Sequence, residues 1–439
     1  MQNLMNCDQC EQTFRGSACV EMGVCGKDPD VESLQKTLLY SLKGMAAYAH
    51  HARRLGKTDP GVSAFIEEGL FATMTNVNFD IGAMLDLVLE CGRMNYRVMQ
   101  MLNDGHVERF GAPSPTTVFE GTHEGPGILV TGHDLLDLWN ILEQAKGTDI
   151  RVYTHGEMLP AHMYPRLREH PNLAGHFGGA WQKQRYDFEE FSGPIVGTTN
   201  CVLIPRGQNT YLPRFFTTRA TAVPGATRLT GDDFSAVIEC ARQCKPLPEK
   251  MTRHTNIGFH HSVILSLADK VIDAVKSGAL KHVFVIGGCD GAEPGRNYYS
   301  DFAKQVPDDA LILTLGCGKY RIRDHDYGTF KLNGVEIPRL LDMGQCNDAY
   351  GAISVAVALA KAFDCGVNDL PLSIVLSWFE QKAVAVLLTL LALDVKGIRV
   401  GPTAPSFFSP KVFQVLQERF DLQLISAKAP EKDLAACLA

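Results

Sequence analysis

The segment HVFVIGGCDG, His282 to Gly291, constrains the fold of this chain more than any other. Val283 to Ile286 is an unbroken apolar run, which predicts a strand buried on both faces, as in a parallel sheet covered by helices. Gly287 and Gly288 end the run. They put Cys289 at the mouth of a strand-to-loop turn, where backbone comes close to a ligand. The arrangement recurs. Cys317 lies just past the predicted strand Leu311 to Leu315, Cys346 just past an apolar segment and before a helix, and Cys201 after PIVGTTN. Four cysteines at strand ends can converge on one point above a parallel sheet, and that convergence suggests a metal cluster.

A length of 439 residues implies roughly two to four domains. The net charge of −7 gives no electrostatic support to a nucleic-acid or anionic-membrane partner. No apolar run reaches the roughly 18 residues needed to cross a bilayer. The longest, Ala383 to Leu393, reads as a buried helix. The N-terminal stretch has no apolar signal core, so a cytosolic protein is expected. Disulfides are disfavoured there, so the 13 cysteines point to metal or redox chemistry.

Cys7, Cys10, Cys19 and Cys25 follow the spacing C-x2-C-x8-C-x5-C. Four thiolates so close together, among small residues, can wrap an iron–sulfur cube. Zinc is the competing occupant, since C-x2-C pairs also build zinc sites, and free thiols are the third reading. Asp28-Pro29 then predicts a helix start, with Val31, Leu34, Leu38, Leu42, Met45 and Ala49 on one face. Asp59-Pro60 starts a second helix with Phe65, Leu70 and Met74 apolar, and a third runs from about Phe79 to Leu102. Cys91, inside it, reads as a buried small hydrophobe. These stripes are core packing, and the three helices form a bundle that carries the cysteine loop.

Gly105 to Gly127, rich in Gly, Pro, Thr and His, reads as a linker. Beyond it strands and helices alternate, as in doubly wound α/β folds. The first unit has strands near Ile128 to Thr131, Ile150 to Tyr153, Pro194 to Gly197 and Tyr211 to Thr217, and helices Leu135 to Ala145 and Asp233 to Cys244. The second has a helix Val263 to Leu280, the strands around Cys289 and Cys317, strands Leu372 to Leu376 and Ile398 to Val400, and helices from Glu380 and from Pro410. The expected architecture is therefore α/β: an N-terminal three-helix bundle (1–111) followed by two doubly wound parallel-sheet, Rossmann-like domains (112–258 and 259–439).

Three ionisable groups occupy the same topological position as the cysteines. His133 follows the strand Ile128 to Thr131, Glu157 follows Val152-Tyr153, and Glu380 follows Ser373 to Leu376, with Lys382 two residues on. Taken singly, a histidine or glutamate before a helix is more often a cap, and a buried cysteine is more often packing. The recurrence changes the weight, because ligands bind beyond the carboxyl ends of strands in open α/β sheets. Sulfur suits iron–sulfur chemistry, whereas imidazole and carboxylate suit harder iron. The mixed set implies an asymmetric cluster with a sulfide half and an oxygen half. Cys240 and Cys244, one helical turn apart in CARQC, have no evident acid or histidine partner, and Cys365 and Cys437 receive no role. GGCDGAEPG lacks the GxGxxG spacing of a phosphate loop. His254, His260 and His261 read as structural or loop residues.

In order, CDQCEQT, LVTGHD, YTHGEM, TTNC, VIGGCDG, LGCGKYR, DMGQCNDAY and LSWFEQKA resemble the hybrid-cluster proteins, also called prismane proteins or hydroxylamine reductases. The resemblance runs over nearly the whole chain, and a more distant kinship to carbon monoxide dehydrogenases goes with that fold. Only about three helices precede the first sheet, so the chain is similar to the short branch that lacks a second helical bundle. The resemblance implies a [4Fe-4S] cluster on Cys7, Cys10, Cys19 and Cys25. It implies a hybrid [4Fe-2O-2S] cluster on His133, Glu157, Cys201, Cys289, Cys317, Cys346 and Glu380, with Cys289 as a persulfide and Lys382 beside the cluster. The activity it implies is reduction of hydroxylamine to ammonia and water, with electrons from a reduced flavo- or iron–sulfur donor protein. Glu157, Glu380, Lys382, His133 and Cys289 are then the catalytic candidates. Two alternatives use the same site: reduction of nitric oxide to nitrous oxide in nitrosative-stress defence under anaerobic conditions, and redox sensing or S-nitrosylation of partner proteins.

Overall fold

Residues 5–332 and 334–439 are described in this computed structural model. Three helices open it: α1 (Pro29–Arg54), α2 (Pro60–Ala72) and α3 (Ile81–Phe110). Each starts on an aspartate whose carboxylate takes the free N–H groups of the first turn. Asp28 accepts from Val31 at 2.8 Å, Asp59 from Gly61 at 2.8 Å and Asp80 from Ala83 at 2.7 Å. The stripe from Val31 to Met45 is buried, and so is Cys91. The expected face of α2 is corrected: Phe65 is buried, but Leu70 and Met74 are exposed. Its inward stripe is Val62, Phe65, Gly69 and Ala72, and Leu70 lies about 100° round from Gly69.

The expected linker is corrected too. Helix α3 continues through Gly105, where Leu55 and Lys57 pack close against the glycine, and stops only at Gly111. The stretch then holds β1 (Thr116–Thr122), which pairs antiparallel with a later strand, so its loop-like composition is overridden by a sheet partner.

The first sheet contains β1, β2 (Gly127–Thr131), β3 (Arg151–His155), β4 (Leu173–His176), β5 (Ile195–Gly197), β6 (Phe215–Thr218), β7 (Thr227–Leu229) and β8 (Lys250–Ile257). Their order is β7-β6-β5-β2-β3-β4-β1-β8, and every pairing is parallel except β1 with β8 at the edge. Strand β6 begins later than expected because Leu212–Arg214, with Pro213 inside, forms a tight turn. The second sheet contains β9 (His282–Gly288), β10 (Ala310–Thr314), β13 (Leu340–Asp342), β14 (Leu372–Ser377), β15 (Arg399–Gly401) and β16 (Gln423–Leu424). The hairpin strands β11 (Thr329–Leu332) and β12 (Val335–Pro338) stand apart. Its order is β13-β10-β9-β14-β15-β16, parallel throughout. The helix expected from Val263 to Leu280 is two helices, His261–Ser266 and Ala268–Lys276, separated at Leu267, whose φ of −102° and ψ of 8° leave the helical region. The α/β class, the leading helices and the two largely parallel sheets are as expected.

Strand β9 lies between β10 and β14, so both its edges are paired, and apolar cores cover both its faces. Phe284 and Ile286 pack with Tyr298 and Phe302 on one side, and Val285 joins a larger core on the other. That larger core is continuous with α1 and α3. The helix Gln381–Ala392 is pressed against them. A Cβ on Gly92 would lie 2.1 Å from the Leu388 carbonyl oxygen, so only glycine permits this approach. Asn95 donates to Thr389 Oγ1 at 2.9 Å, and Thr389 donates to Gly92 O at 3.0 Å. The helices thereby position the end of Gln381–Ala392 that carries Glu380 and Lys382.

Candidate metal centre

All seven candidate ligands follow strand ends. His133 follows β2, Glu157 follows β3 and Cys201 follows β5. Cys289, Cys317, Cys346 and Glu380 follow β9, β10, β13 and β14. The carboxyl edges of the two sheets meet, and Gln345 links them. Its Nε2 donates to Glu157 O at 2.7 Å and to His133 O at 3.2 Å. The Cys346 N–H donates to Glu157 Oε2 at 2.9 Å. As a result, ligand atoms of His133, Glu157 and Cys346 lie within 4.8 Å of one another.

The details of each group suit a ligand. Lys382 Nζ is 2.9 Å from His133 Nε2. An ammonium only donates, so Nε2 accepts and the imidazole proton sits on Nδ1, 2.8 Å from Thr199 Oγ1. The Nε2 lone pair therefore points into the site, as it does in histidines that bind metal while their other nitrogen is held. Glu157 is buried, and its Oε1 has no hydrogen-bond partner. An orphaned buried carboxylate oxygen is costly unless something else occupies the site. Glu380 caps its helix, accepting from the Lys382 N–H at 3.1 Å, and its other oxygen is 3.9 Å from Lys382 Nζ.

The thiols surround the same point. Burial pushes Cys201 and Cys317 well above the ordinary thiol range. Negative charge at Glu380 and Cys289 adds to this at Cys201, and at Glu157, Cys201 and Cys289 it adds at Cys317. Cys289 is raised by burial, Glu380 and Cys346, and Cys346 is pushed up to about 11 by burial, with Lys382 working the other way. Burial also raises Glu157 and holds His133 well below its usual value, Lys382 adding to the latter. Lys382 is raised: burial opposes its charge, but Cys346, Glu380, Cys201 and Glu157 outweigh it. Burial drives the four thiols and Glu157 toward their neutral forms against the pull of two buried ammoniums, Lys382 and Lys319, and a bound metal would add positive charge that favours the ligand forms. The donors mix sulfur with nitrogen and oxygen, Cys346 lying with His133 and Glu157, and the set fits a mixed iron–sulfur–oxygen cluster.

Backbone geometry aims two of the thiols. Cys201 takes a left-handed φ of 64°, unusual for a side-chain-bearing residue, and its carbonyl is held by Gln184 Nε2 at 2.7 Å. Gly288, at φ 100°, lies against the Ser377 carbonyl where a Cβ would come within 2.1 Å, and this turns Cys289 into the site. Trp181 packs on the Cys201–Cys317 side, stacked on Phe379 at 3.9 Å, and donates its indole N–H to Asp290 O at 2.8 Å.

The N-terminal thiols form a separate group. Cys7 and Cys19 are buried and face each other across an antiparallel bridge, Cys10 is half-buried and Cys25 is exposed. Lys27 is fully buried beside Cys7 and donates to Glu32 and to Gln35 at 2.9 Å. Burial works against its charge, but Glu32 and Cys7 hold the ammonium above its usual range. Thiolate is the ligand form for iron–sulfur and for zinc alike.

Three residues of the central site were not singled out from the sequence. Tyr48 of α1 donates its hydroxyl to Cys346 Sγ at 3.2 Å, Thr199 fixes the His133 tautomer, and Gln345 joins the sheets. Adjacency to Cys346 was the only available pointer to Gln345, and Tyr48 was hidden in the buried stripe of its helix. The histidines at the start of the second unit lie elsewhere: His260 Nε2 is 2.9 Å from Asn103 Oδ1 at the far end of α3.

Relatives share this chain's full span. A hydroxylamine reductase of Moorella thermoacetica is 57% identical over 99% of this chain and 100% of its own length. One from Zymomonas mobilis is 51% identical over 93% of this chain but only 74% of itself, so relatives occur in a shorter and a longer form, and this chain has the shorter. Among solved structures, a nickel-free carbon monoxide dehydrogenase from Thermococcus sp. AM4 superposes with a TM-score of 0.78 at 17% identity, covering 99% of this chain and 90% of the other, and so shares the fold. Residues 5–87 and 80–435 match the Prismane/CO dehydrogenase family, and the chain belongs to that family.

Proposed function

We propose that this chain is a hydroxylamine reductase: NH2OH + 2e⁻ + 2H⁺ → NH3 + H2O. The observation that carries the reading is the cluster in which ligand atoms of His133, Glu157 and Cys346 converge beside Lys382, with Glu157 Oε1 left unpartnered. Relatives named hydroxylamine reductase, alike over the whole chain, support it. A [4Fe-4S] cluster is held by Cys7, Cys10, Cys19 and Cys25. A hybrid [4Fe-2O-2S] cluster is held by His133, Glu157, Cys201, Cys289, Cys317, Cys346 and Glu380, and Cys289 is the position for a persulfide sulfur. Bound iron supplies Lewis acidity and the two electrons.

The chain's own residues do the rest. Lys382, kept charged by its neighbours, holds a proton at Nζ next to the reacting centre and can give it to the departing oxygen. Glu157 and Glu380 balance charge, and Glu380 lines two pockets on the polar side that reach solvent. One of these, of about 310 Å³, is bounded by His50, His51, Asp134 and Arg219 and admits a polar substrate and water. Tyr48 and Gln345 hold Cys346 and Glu157 in place. Electrons come from a reduced flavo- or iron–sulfur donor protein, and the chain works in the cytoplasm without nucleic acid or membrane. Among the described residues no helix is long and apolar enough to cross a membrane.

The test is anaerobic turnover with a reduced dye, measuring ammonia formed per hydroxylamine consumed. Glu157→Ala and Glu380→Ala should lose turnover and the iron of the central site while keeping the N-terminal cluster. Full turnover and an intact central spectrum in both variants would overturn the assignment.

One observation favours the second reading, 2NO + 2e⁻ + 2H⁺ → N2O + H2O. An apolar cavity of about 170 Å³ is lined by Val285, Leu315, Ile353, Leu376, Val384 and Leu387 and also touches Cys289 and Cys346. Such walls suit an uncharged diatomic better than hydroxylamine. Narrowing it with Ala356→Phe should slow nitric oxide turnover and spare hydroxylamine. Equal slowing of both would remove this support.

A further inference from the structure

Away from the clusters, the helix Ser235–Gln243 ends in a pair of cysteines that the proposed chemistry does not use. Cys240 and Cys244 place their sulfurs 3.8 Å apart. Both are half-buried, so a small reagent can reach them. The helix stops at Gln243, and Cys244 is already extended, at φ −71° and ψ 156°. Its side chain is therefore free of the helical lattice that would otherwise strain a bridge between positions i and i+4. A turn of helix separates Cα atoms by about 6 Å, inside the range that disulfides span. The neighbouring polar groups are already engaged: Glu239 accepts from Gln243 Nε2 at 2.8 Å and pairs with Arg242 at 3.5 Å. No carboxylate or imidazole completes a metal site with these two thiols, among the described residues. The charge that both thiols feel is the Arg214 guanidinium, anchored to Phe188 O at 2.8 Å and to Gly193 O.

From this geometry we infer that Cys240 and Cys244 form a reversible dithiol–disulfide site that reacts with low-molecular-weight disulfides. The step is an exchange in two parts. One protein thiolate attacks a sulfur of R–S–S–R, giving a mixed disulfide and releasing R–S⁻. The second protein thiolate then attacks the protein sulfur of the mixed disulfide, closing Cys240–Cys244 and releasing a second R–S⁻. The two thiol protons end on the two released thiols, so the protein pair is oxidised by two electrons and the small disulfide is reduced by two. Burial and the neighbouring Cys244 push the Cys240 thiol up to about 12, so the reduced pair gains little from thiolate formation. A bridge between such thiols resists reduction more than one whose reduced form is a stabilised thiolate. Closing it fixes the turn before Leu247, which pairs with Gly125 at 2.8 and 3.1 Å and leads into the edge strand β8.

The test uses the anaerobic holoprotein equilibrated in buffers of reduced and oxidised glutathione, quenched with an alkylating agent and mapped by peptide mass. The expected result is a peptide containing both cysteines that has lost two hydrogens and carries no glutathione, while Cys365 and Cys437 carry glutathione singly. Cys244→Ser, at a half-exposed position, removes the second thiol, so the glutathione adduct on Cys240 should rise about tenfold over the unaltered protein. A peptide alkylated at both cysteines in the most oxidising buffer overturns the proposal. So does a mixed adduct on Cys240 as abundant in the unaltered protein as in Cys244→Ser.

Discussion

At the scale of single residues the central site is a problem of charge. Four thiols, two carboxylates and a histidine lie about the buried Lys382 ammonium, with buried Lys319 acting on Glu157, and burial drives the thiols and Glu157 toward their neutral forms. Lys382 is the residue whose removal separates charge from ligation. It donates to His133 Nε2 and has no ligand atom of its own to give while protonated. Lys382→Met should therefore keep most of the iron and lower kcat by about 10²- to 10⁴-fold, the usual range for losing a positioned proton donor. Iron and acid-labile sulfide analysis beside turnover decides this, and loss of the cluster together with activity would make Lys382 a structural group. Tyr48 acts more gently. Tyr48→Phe removes one hydroxyl from Cys346 Sγ and nothing else in the site. A net hydrogen bond of about 1 kcal/mol corresponds to less than about tenfold in rate, and the larger effect should be a shift in the cluster's reduction potential, since hydrogen bonds to sulfur tune it. A potential unchanged within error, measured by a dye titration followed by EPR, would show that this contact is idle.

At the scale of elements the site depends on helices that do not belong to its sheets. Gly92 lets α3 approach the Leu388 carbonyl so closely that a methyl group cannot fit. Gly92→Ala would raise intrinsic helix propensity by about 1 kcal/mol, yet it has to push two packed backbones apart, which typically costs about 1–3 kcal/mol or more. We expect net destabilisation and a displaced Glu380–Lys382 turn, read as a lower denaturation midpoint with partial loss of central-site iron. An unchanged midpoint would mean that the helices separate at little cost. The same helix carries a second element-scale signature at its far end. His106 is fully buried with an unpartnered Nδ1, and His260 is buried against Asn103. Burial lowers each to about 3. The unfolded chain binds these protons below about pH 6.5 and the folded chain does not, so stability is full above that pH and falls as pH drops toward 3. Each histidine contributes a slope of up to about 1.4 kcal/mol per pH unit in that window. His106→Phe should remove one such slope from urea midpoints measured between about pH 5 and pH 6. An unaltered slope would mean that His106 is already protonated in the folded chain.

At the scale of the whole molecule, what the sequence made legible was topological. Val283 to Ile286 announced a doubly covered strand, and the seven ligand positions were visible because each follows such a run. Three things were invisible for physical reasons. Gly105 and the Pro- and Thr-rich stretch after it looked like a linker because composition carries no information on whether a sheet edge waits for them. Leu70 and Met74 looked buried because a short helix shows an apolar surplus without showing which stripe faces inward. Gln345 and Tyr48 could not be found because the first joins two sheets and the second touches a sulfur 298 residues away. The same long-range packing bears on the proposed division into 1–111, 112–258 and 259–439, whose first four residues lie outside the described ones. One continuous apolar core runs from α1 and α3 through the helix Gln381–Ala392 to the second sheet, whereas the first sheet has cores of its own. A segment ending at residue 111 would expose the stripe Leu34, Leu38, Leu42 and Met45 of α1 and the Gly92 face of α3 together. Each Å² of apolar surface so exposed costs about 25 cal/mol, which weighs against a bundle that stands alone. We therefore expect 1–111 and 259–439 to unfold as one cooperative unit and 112–258 to open separately. Hydrogen exchange under mild denaturant would then give α1, α3 and Gln381–Ala392 a common opening free energy, distinct from that of β2 and β3. Independent opening of the first three helices would instead favour a self-standing N-terminal bundle.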